Sequence, residues 1–245
     1  MFVSLELDSL DAWGNTMDTA TDLVDFALTA CTADLGSPGE WVAPACLRNS
    51  LALVLIESIQ ATRSHYTSVR NVLDRYREFR AEAGAEAAED GTSALLATFE
   101  ALGGPESWAE RIGNRKPVST RAGAPRKAAV IREAAGLLAG MGVDTAAQLR
   151  GLDAEAFHRL RVRWVALPGQ SSGLTWRYLA VHTGITPVAA DPVVTGYFGG
   201  DGAEILLNAT AQRLGVTAEQ LAYAIWRHQT GRPVVEAPPF AMQRE

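Results

Sequence analysis

The stretch Leu167-Pro168-Gly169-Gln170-Ser171-Ser172-Gly173, called the hairpin below, decides the fold because it joins two segments with helical apolar spacing. One helix ends before it, the chain reverses over a Pro-Gly pair, and a new helix begins with hydroxyl residues in its first turn. Such a first turn presents unpaired backbone N–H groups and a partial positive charge, which suit a phosphate oxygen. The hairpin therefore predicts a phosphate-binding turn, and the alternative is an ordinary turn between two helices.

Apolar spacing typical of helices extends over almost the whole chain. In the segment 69–79, for example, apolar and aromatic residues recur at intervals of three and four positions. Asp191, Asp201 and Thr217 precede the last three helical segments and are candidate N-caps. The alternation of apolar and polar residues that marks a strand is nearly absent. The sequence therefore predicts an all-α protein.

The bulk composition is that of a globular protein, since 47% of the 245 residues are apolar and 20% are charged. The formal net charge of −6 excludes a protein coated in basic charge, so any nucleic-acid site must be a local cluster. Cys31 and Cys46 are the two cysteines of the sequence. This count excludes a four-thiolate zinc or iron–sulfur site and favours a reducing compartment.

No cofactor, metal ion or membrane span is expected. The four histidines, at positions 65, 158, 182 and 228, lack the spacing of a metal site. No apolar run approaches the roughly 20 residues that cross a bilayer, and the first residues lack the pattern of a signal peptide. We therefore expect a cytoplasmic protein without a cofactor, and no protein partner is predicted.

A basic cluster lies between residues 111 and 132, where no acidic residue occurs. The middle of this cluster, residues 117–125, is interpreted as a flexible loop that can follow a phosphate backbone and release counterions. Arg126 and Lys127 are the predicted DNA contacts of the cluster, and the alternative is a solvated loop on an acidic protein. Further basic residues flank the hairpin, namely Arg159, Arg161, Arg163 and Arg177.

Three segments resemble the base-excision DNA glycosylase superfamily related to endonuclease III. Leu-Pro-Gly-Gln-Ser-Ser-Gly-Leu-Thr-Trp-Arg-Tyr-Leu (167–179) resembles its helix-hairpin-helix motif. Leu-Ile-Glu-Ser-Ile-Gln-Ala-Thr (55–62) is similar to its early helix, which ends in Gln-Ala-Thr or Gln-Gln-Thr. Lys-Ala-Ala-Val-Ile (127–131) resembles a third helix, written Lys-Ala-x-x-Ile. The matches occur in the order found in that superfamily and cover residues 49–198.

The resemblance implies a two-lobed helix-hairpin-helix fold without an iron–sulfur cluster. One lobe would comprise residues 41–185, and the other would comprise residues 1–40 and 186–245. Asp191, at the spacing of the superfamily's catalytic aspartate, would lie at their interface, where it would stabilise positive charge on the sugar and activate water. Gln60 would fill the gap left in DNA by an extruded base. The hairpin residues Gly169, Gln170, Ser171, Ser172 and Gly173 would contact the DNA backbone.

Several departures from the superfamily pattern restrict the chemistry that is expected. Ser171 replaces the second glycine of the hairpin, and Gly173 replaces the lysine that forms a Schiff base in members with strand-cleaving activity. After Asp191 the chain continues Pro-Val-Val-Thr-Gly, whereas the superfamily usually continues Thr-His-Val-x-Arg. The resemblance therefore implies hydrolysis by water, without lyase activity.

The function expected from these features is that of a monofunctional DNA glycosylase. It would hydrolyse the N-glycosidic bond of a damaged or modified base in double-stranded DNA. One alternative is a catalytically inactive DNA-binding protein on the same fold, in which Asp191 followed by Pro192 is simply a helix cap. The other alternative is a general helical interaction protein, in which the hairpin is only a turn.

Overall fold

The computed structural model describes residues 16–43 and 49–235, and these residues form an all-helical structure. Across these two ranges extended pairing is limited to isolated bridges between Trp41 and Val235 and between Pro117 and Arg126. The prediction of an all-α protein is confirmed. The helices are α1 (Thr16–Leu35), α2 (Leu51–Gln60), α3 (Tyr66–Glu82), α4 (Thr92–Ala101), α5 (Pro105–Arg111), α6 (Lys127–Ala139), α7 (Ala146–Arg150), α8 (Ala154–Val165), α9 (Leu174–Thr183), α10 (Pro192–Tyr197), α11 (Ala203–Leu214) and α12 (Ala218–Gln229).

Polar side chains fix the starts of several helices. Asp153 accepts a hydrogen bond from the third residue of α8, and Thr217 forms a reciprocal capping box with Gln220 at the start of α12. The prediction that Asp201 caps the next-to-last helix is wrong. The N-cap of α11 is Gly202, which has φ 75° and makes no side-chain cap. A glycine tolerates this left-handed conformation, so the chain enters α11 through a turn.

The larger of two hydrophobic clusters is built around α2, all ten residues of which are buried. Helices α3, α4, α6 and α9 pack against α2, and side chains from α8 complete the cluster. A helix surrounded on all sides is apolar around its circumference, as α2 largely is. We call this the first cluster.

A second hydrophobic cluster joins α1 with the C-terminal helices α10, α11 and α12. Helix α9 contributes to both clusters, because Trp176 and Leu179 lie in the first and Tyr178 and Val181 lie in the second. The division into lobes at residues 41–185 stays a prediction. Within the helices that the structure describes, none is long and apolar enough to cross a membrane.

Charge is distributed unevenly between the parts of the chain that build the two clusters. Residues 49–185 carry 17 basic and 14 acidic residues, a formal charge of +3. Residues 16–43 and 186–235 together carry 3 basic and 9 acidic residues, a formal charge of −6. The acidic overall charge of the protein therefore does not extend to the segment that contains the hairpin.

Candidate nucleic-acid interface

The hairpin is a pair of consecutive turns between α8 and α9. The backbone N–H of Gln170 donates to the Leu167 carbonyl at 3.1 Å, and the N–H of Gly173 donates to the Gln170 carbonyl at 3.0 Å. Gly169 has φ 74° and Gly173 has φ 71°, a region that residues with a Cβ rarely adopt. Glycine is therefore favoured at both positions by the path of the chain.

The buried side chain of Gln170 stabilises the hairpin through hydrogen bonds. Its side chain is buried, donating to the Pro168 carbonyl at 2.9 Å and accepting from the Thr175 hydroxyl at 2.6 Å. The same hydroxyl accepts from the Trp164 indole at 3.0 Å, which links α8 to α9. The structure thus places the Gln170 side chain within the protein, away from the surface where a DNA contact was predicted.

Three backbone N–H groups of the hairpin are without an acceptor in the described residues. Ser171 and Ser172 are exposed, and the Ser172 hydroxyl accepts from the N–H of Leu174 at 3.4 Å. The backbone N–H groups of Gly169, Ser171 and Ser172 donate to no acceptor in the described part of the chain. These three residues precede Gly173, the N-cap of α9, and free backbone N–H groups in such a turn can bind the oxygens of an anion.

The basic loop packs directly on the hairpin. A Cβ added to Gly169 would lie 2.9 Å from the Cβ and Cγ2 atoms of Val118, so the two segments touch at this glycine. The loop is closed by the bridge between Pro117 and Arg126 and by the N–H of Val118, which donates to the Pro125 carbonyl at 3.0 Å. Because Val118 contacts the hairpin and Arg126 pairs with Pro117, half-buried Arg126 belongs to the segment that packs on the hairpin. We call residues 116–127 the basic turn.

Lys127 is buried and holds the end of α2. Its Nζ donates to the Gln60 carbonyl at 2.8 Å, to the Ser64 hydroxyl at 2.9 Å, and to the Thr62 carbonyl. Burial and the nearby charges of Lys116 and Arg63 lower the pKa of Lys127 to about 8. All three N–H groups of the ammonium are bound by residues 60–64. Lys127 therefore stabilises the turn after α2 and is not free to contact phosphate.

Gln60 is also buried, although it was predicted to enter DNA. Its Oε1 accepts from Asn114 Nδ2 at 2.8 Å, and its Nε2 is enclosed without a partner in the described residues. In the turn after α2, Arg63 is exposed and has φ 54°. Sequence reasoning missed Arg63, because nothing in the residues around it signals a left-handed backbone.

Asp191 caps α10 and forms a partly buried ion pair with Arg177. Its Oδ1 accepts from the N–H of Val193 at 3.0 Å, and the prediction of a cap is confirmed. Arg177, in the first turn of α9, donates to Oδ1 at 2.7 Å and to Oδ2 at 3.3 Å. With the Asp191 side chain 3% exposed, both oxygens are engaged within the protein. The catalytic role of Asp191 stays a prediction.

A second group of buried polar residues lies between the two hydrophobic clusters. Oε1 of Glu57, on α2, is 3.1 Å from Arg232 Nε and 3.4 Å from His182 Nε2. The Arg232 guanidinium lies over the rings of Tyr178 and Trp226, at 4.3 and 4.5 Å from their centroids. Burial lowers the pKa of His182 to about 4 although the Glu57 carboxylate faces it, so the imidazole is neutral at pH 7. This Glu57 group is closed to solvent and joins α2 and α9 to the segment after α12.

The predicted site residues, although far apart in sequence, belong to one connected set. Lys127 joins Gln60 to the basic turn, the basic turn contacts the hairpin at Gly169, and Arg177 joins the hairpin helix to Asp191. The structure brings these residues together. Gly169, Ser171 and Ser172 are exposed, whereas the other predicted site residues are buried or half-buried. Within the described residues, no group of three or more His, Cys, Asp or Glu side chains is arranged to hold a metal ion.

Comparison with known proteins identifies a family but no activity. No curated protein and no solved structure matches the chain. One family model, described as a domain of unknown function (DUF8548), matches residues 26–230. This match begins within α1 and ends just after α12, so it includes the hairpin, the basic turn, the first cluster and all of the second cluster except Val234. The chain therefore belongs to the DUF8548 family.

Proposed function

We propose that this protein binds the sugar-phosphate backbone of double-stranded DNA through the hairpin and the basic turn. The observation that carries the proposal is the set of three free backbone N–H groups, on Gly169, Ser171 and Ser172, beside the basic turn with its exposed Arg121. Backbone N–H groups and guanidinium groups are the donors that proteins most often use on phosphate. Together they form a surface that recognises the DNA backbone and not its bases.

Charge near the hairpin supports the same function. Arg121 in the basic turn and Arg161 and Arg163 on α8 are exposed and form no ion pair with any residue that the structure describes. In contrast, Arg159 pairs with Glu155 on the same helix. The +3 charge of residues 49–185 directs a polyanion to this part of the protein, because a binding field depends on where the charges lie.

We extend the proposal to the architecture but not to catalysis. A two-lobed helix-hairpin-helix arrangement is supported by the hairpin between α8 and α9 and by the two hydrophobic clusters that meet at α9. Excision of a base by Asp191 would need a free carboxylate oxygen, whereas Arg177 and the N-terminus of α10 occupy both. Backbone binding by a protein without glycosylase activity is therefore the function that the geometry favours.

Fluorescence anisotropy with a labelled 20-base-pair duplex tests this proposal. If about three phosphates are neutralised, affinity should fall about 40-fold between 50 and 200 mM salt, since each contact adds about −0.9 to the logarithmic slope. The double variant Arg121→Ala/Arg163→Ala should lower the affinity and reduce the magnitude of the slope by about 2.

Arg213→Ala is the matched control, because it removes one positive charge from α11, where Arg213 pairs with Asp25. It should bind DNA as the wild type does. A flat salt profile, or an equal loss of affinity in the control, would refute backbone binding by this surface.

A further inference from the structure

The turn between α2 and α3 has a strained backbone at Arg63. This residue has φ 54°, and it is the one non-glycine residue with a positive φ among those that the structure describes. The left-handed region brings the Cβ of an L-residue close to its own backbone, so a protein retains it only where the surroundings impose it. Strain of this kind is concentrated at functional sites, which makes Arg63 a candidate for a role in binding.

Lys127 contacts the turn on both sides of Arg63. Its ammonium donates to the carbonyls of Gln60 and Thr62 before Arg63 and to the hydroxyl of Ser64 after it. The chain is therefore fixed on both sides of Arg63 by one buried cation. The Arg63 side chain is exposed and forms no ion pair within the described part of the chain. The turn thus presents an unpaired guanidinium on a rigid support.

The turn is continuous with the proposed DNA surface. The N–H of Lys127 donates to the Lys116 carbonyl at 3.0 Å, and the basic turn that begins there reaches the hairpin at Gly169. Arg63 and Lys116 lie near enough to Lys127 to lower its pKa. Three cations, Arg63, Lys116 and Lys127, are thus grouped at the turn between α2 and α3. Grouped cations repel one another, and a bound polyanion relieves that repulsion.

We propose that Arg63 is a second anchor for the DNA backbone and that Lys127 is the positioning residue that aims it. The planar guanidinium of Arg63 donates to a phosphate beside the turn between α2 and α3. Lys127 does not touch DNA and acts by holding the Arg63 backbone. This inference rests on the proposed function, because it adds a contact to the same interface.

The variant Arg63→Gly separates binding from folding, because glycine adopts φ 54° without strain. We expect its Tm to equal or exceed that of the wild type. Its affinity for the 20-base-pair duplex should fall about eightfold at 0.1 M salt, the contribution of one phosphate contact at a slope of −0.9. Arg63→Lys keeps the charge and should retain part of the affinity.

The positioning role of Lys127 is tested in a double-mutant cycle. Lys127→Met should lower DNA affinity in the wild-type background. It should change affinity little in the Arg63→Gly background, because the guanidinium that Lys127 positions is absent there. Equal losses in both backgrounds would overturn the positioning role. Arg213→Ala serves again as the control for net charge.

The outcomes distinguish this inference from the function on which it rests. If Arg63→Gly binds DNA like the wild type while Arg121→Ala/Arg163→Ala loses affinity, the second anchor is overturned and backbone binding stands. If both variants bind like the wild type, backbone binding by this surface is itself overturned. A fall in the Tm of Arg63→Gly would show that Arg63 serves stability and would also overturn the anchor.

Discussion

Acid should destabilise this protein through the buried imidazole of His182. The side chain is 2% exposed and lies beside Glu57, with Arg227 and Arg232 also facing it. Burial lowers its pKa from 6.5 to about 4. Between these two values the unfolded chain binds a proton at this histidine whereas the folded protein does not. The free energy of unfolding therefore falls as the pH is lowered through this range.

The size of the effect follows from the difference between the two pKa values. A shift of about 2.5 units corresponds to about 3 kcal/mol if the full range is crossed. At pH 5 the expected loss relative to pH 8 is about 2 kcal/mol, because the folded protein has barely begun to bind the proton there. Most Asp and Glu side chains stay ionised at pH 5, so the contribution of His182 can be observed largely by itself.

Urea unfolding at pH 8 and pH 5, followed by tryptophan fluorescence, measures this loss. His182→Gln cannot titrate and should show a pH dependence smaller by about 2 kcal/mol, even if it is less stable at both pH values. His158→Gln is the matched control, because it makes the same substitution at an exposed position. The reasoning is refuted if His182→Gln and the wild type lose the same free energy on going to pH 5.

The remaining predictions concern Asp191 and the hairpin glycines. Asp191→Asn should lower the free energy of unfolding by about 2 kcal/mol, because it weakens the pair with the partly exposed Arg177 while an amide can still cap α10. We expect no alkali-labile sites after incubation of the wild type with lesion-bearing duplexes; sites that disappear with Asp191→Asn would instead establish catalysis. Gly169→Ala should cost about 3 kcal/mol in urea unfolding, because the new Cβ meets Val118 at 2.9 Å and φ is 74°. Gly173→Ala, with φ 71° and no atom within 4 Å, should cost only about 1 kcal/mol, and equal costs would contradict the contact with the basic turn.

The fold class could be predicted from sequence because its causes are local. Apolar residues three and four positions apart give amphipathic helices, and caps such as Asp153 and Thr217 act within one turn of the chain. The Pro-Gly pair of the hairpin likewise determines a turn by itself. Asp201 was assigned as a cap on the same grounds, but the adjacent Gly202 takes that position through its backbone conformation. Local rules therefore located the helices more reliably than their ends.

The candidate site could be predicted less well, because burial of polar side chains depends on distant partners. Gln60 and Lys127 are polar residues that sequence alone assigns to the surface. They are buried because Asn114 reaches Gln60 across 54 positions and Lys127 reaches it across 67. Similarly, Arg177 lies 14 positions from Asp191 and donates to the carboxylate that was predicted from sequence to be catalytic. Which polar groups face solvent was thus decided by packing between helices.

Helix α9 has a consequence for the kind of DNA that this surface would accept. The hairpin leads directly into α9, and α9 packs Trp176 into the first cluster and Tyr178 into the second. Tilting the hairpin to follow a curved backbone would disturb both clusters at once, which close-packed interiors resist. In the proposed complex the DNA must therefore bend to fit the hairpin, because the hairpin does not tilt to fit the DNA. Duplexes with flexible pyrimidine–purine steps would then bind more tightly than stiff ones of equal length and charge, a preference for deformability without contact to any base.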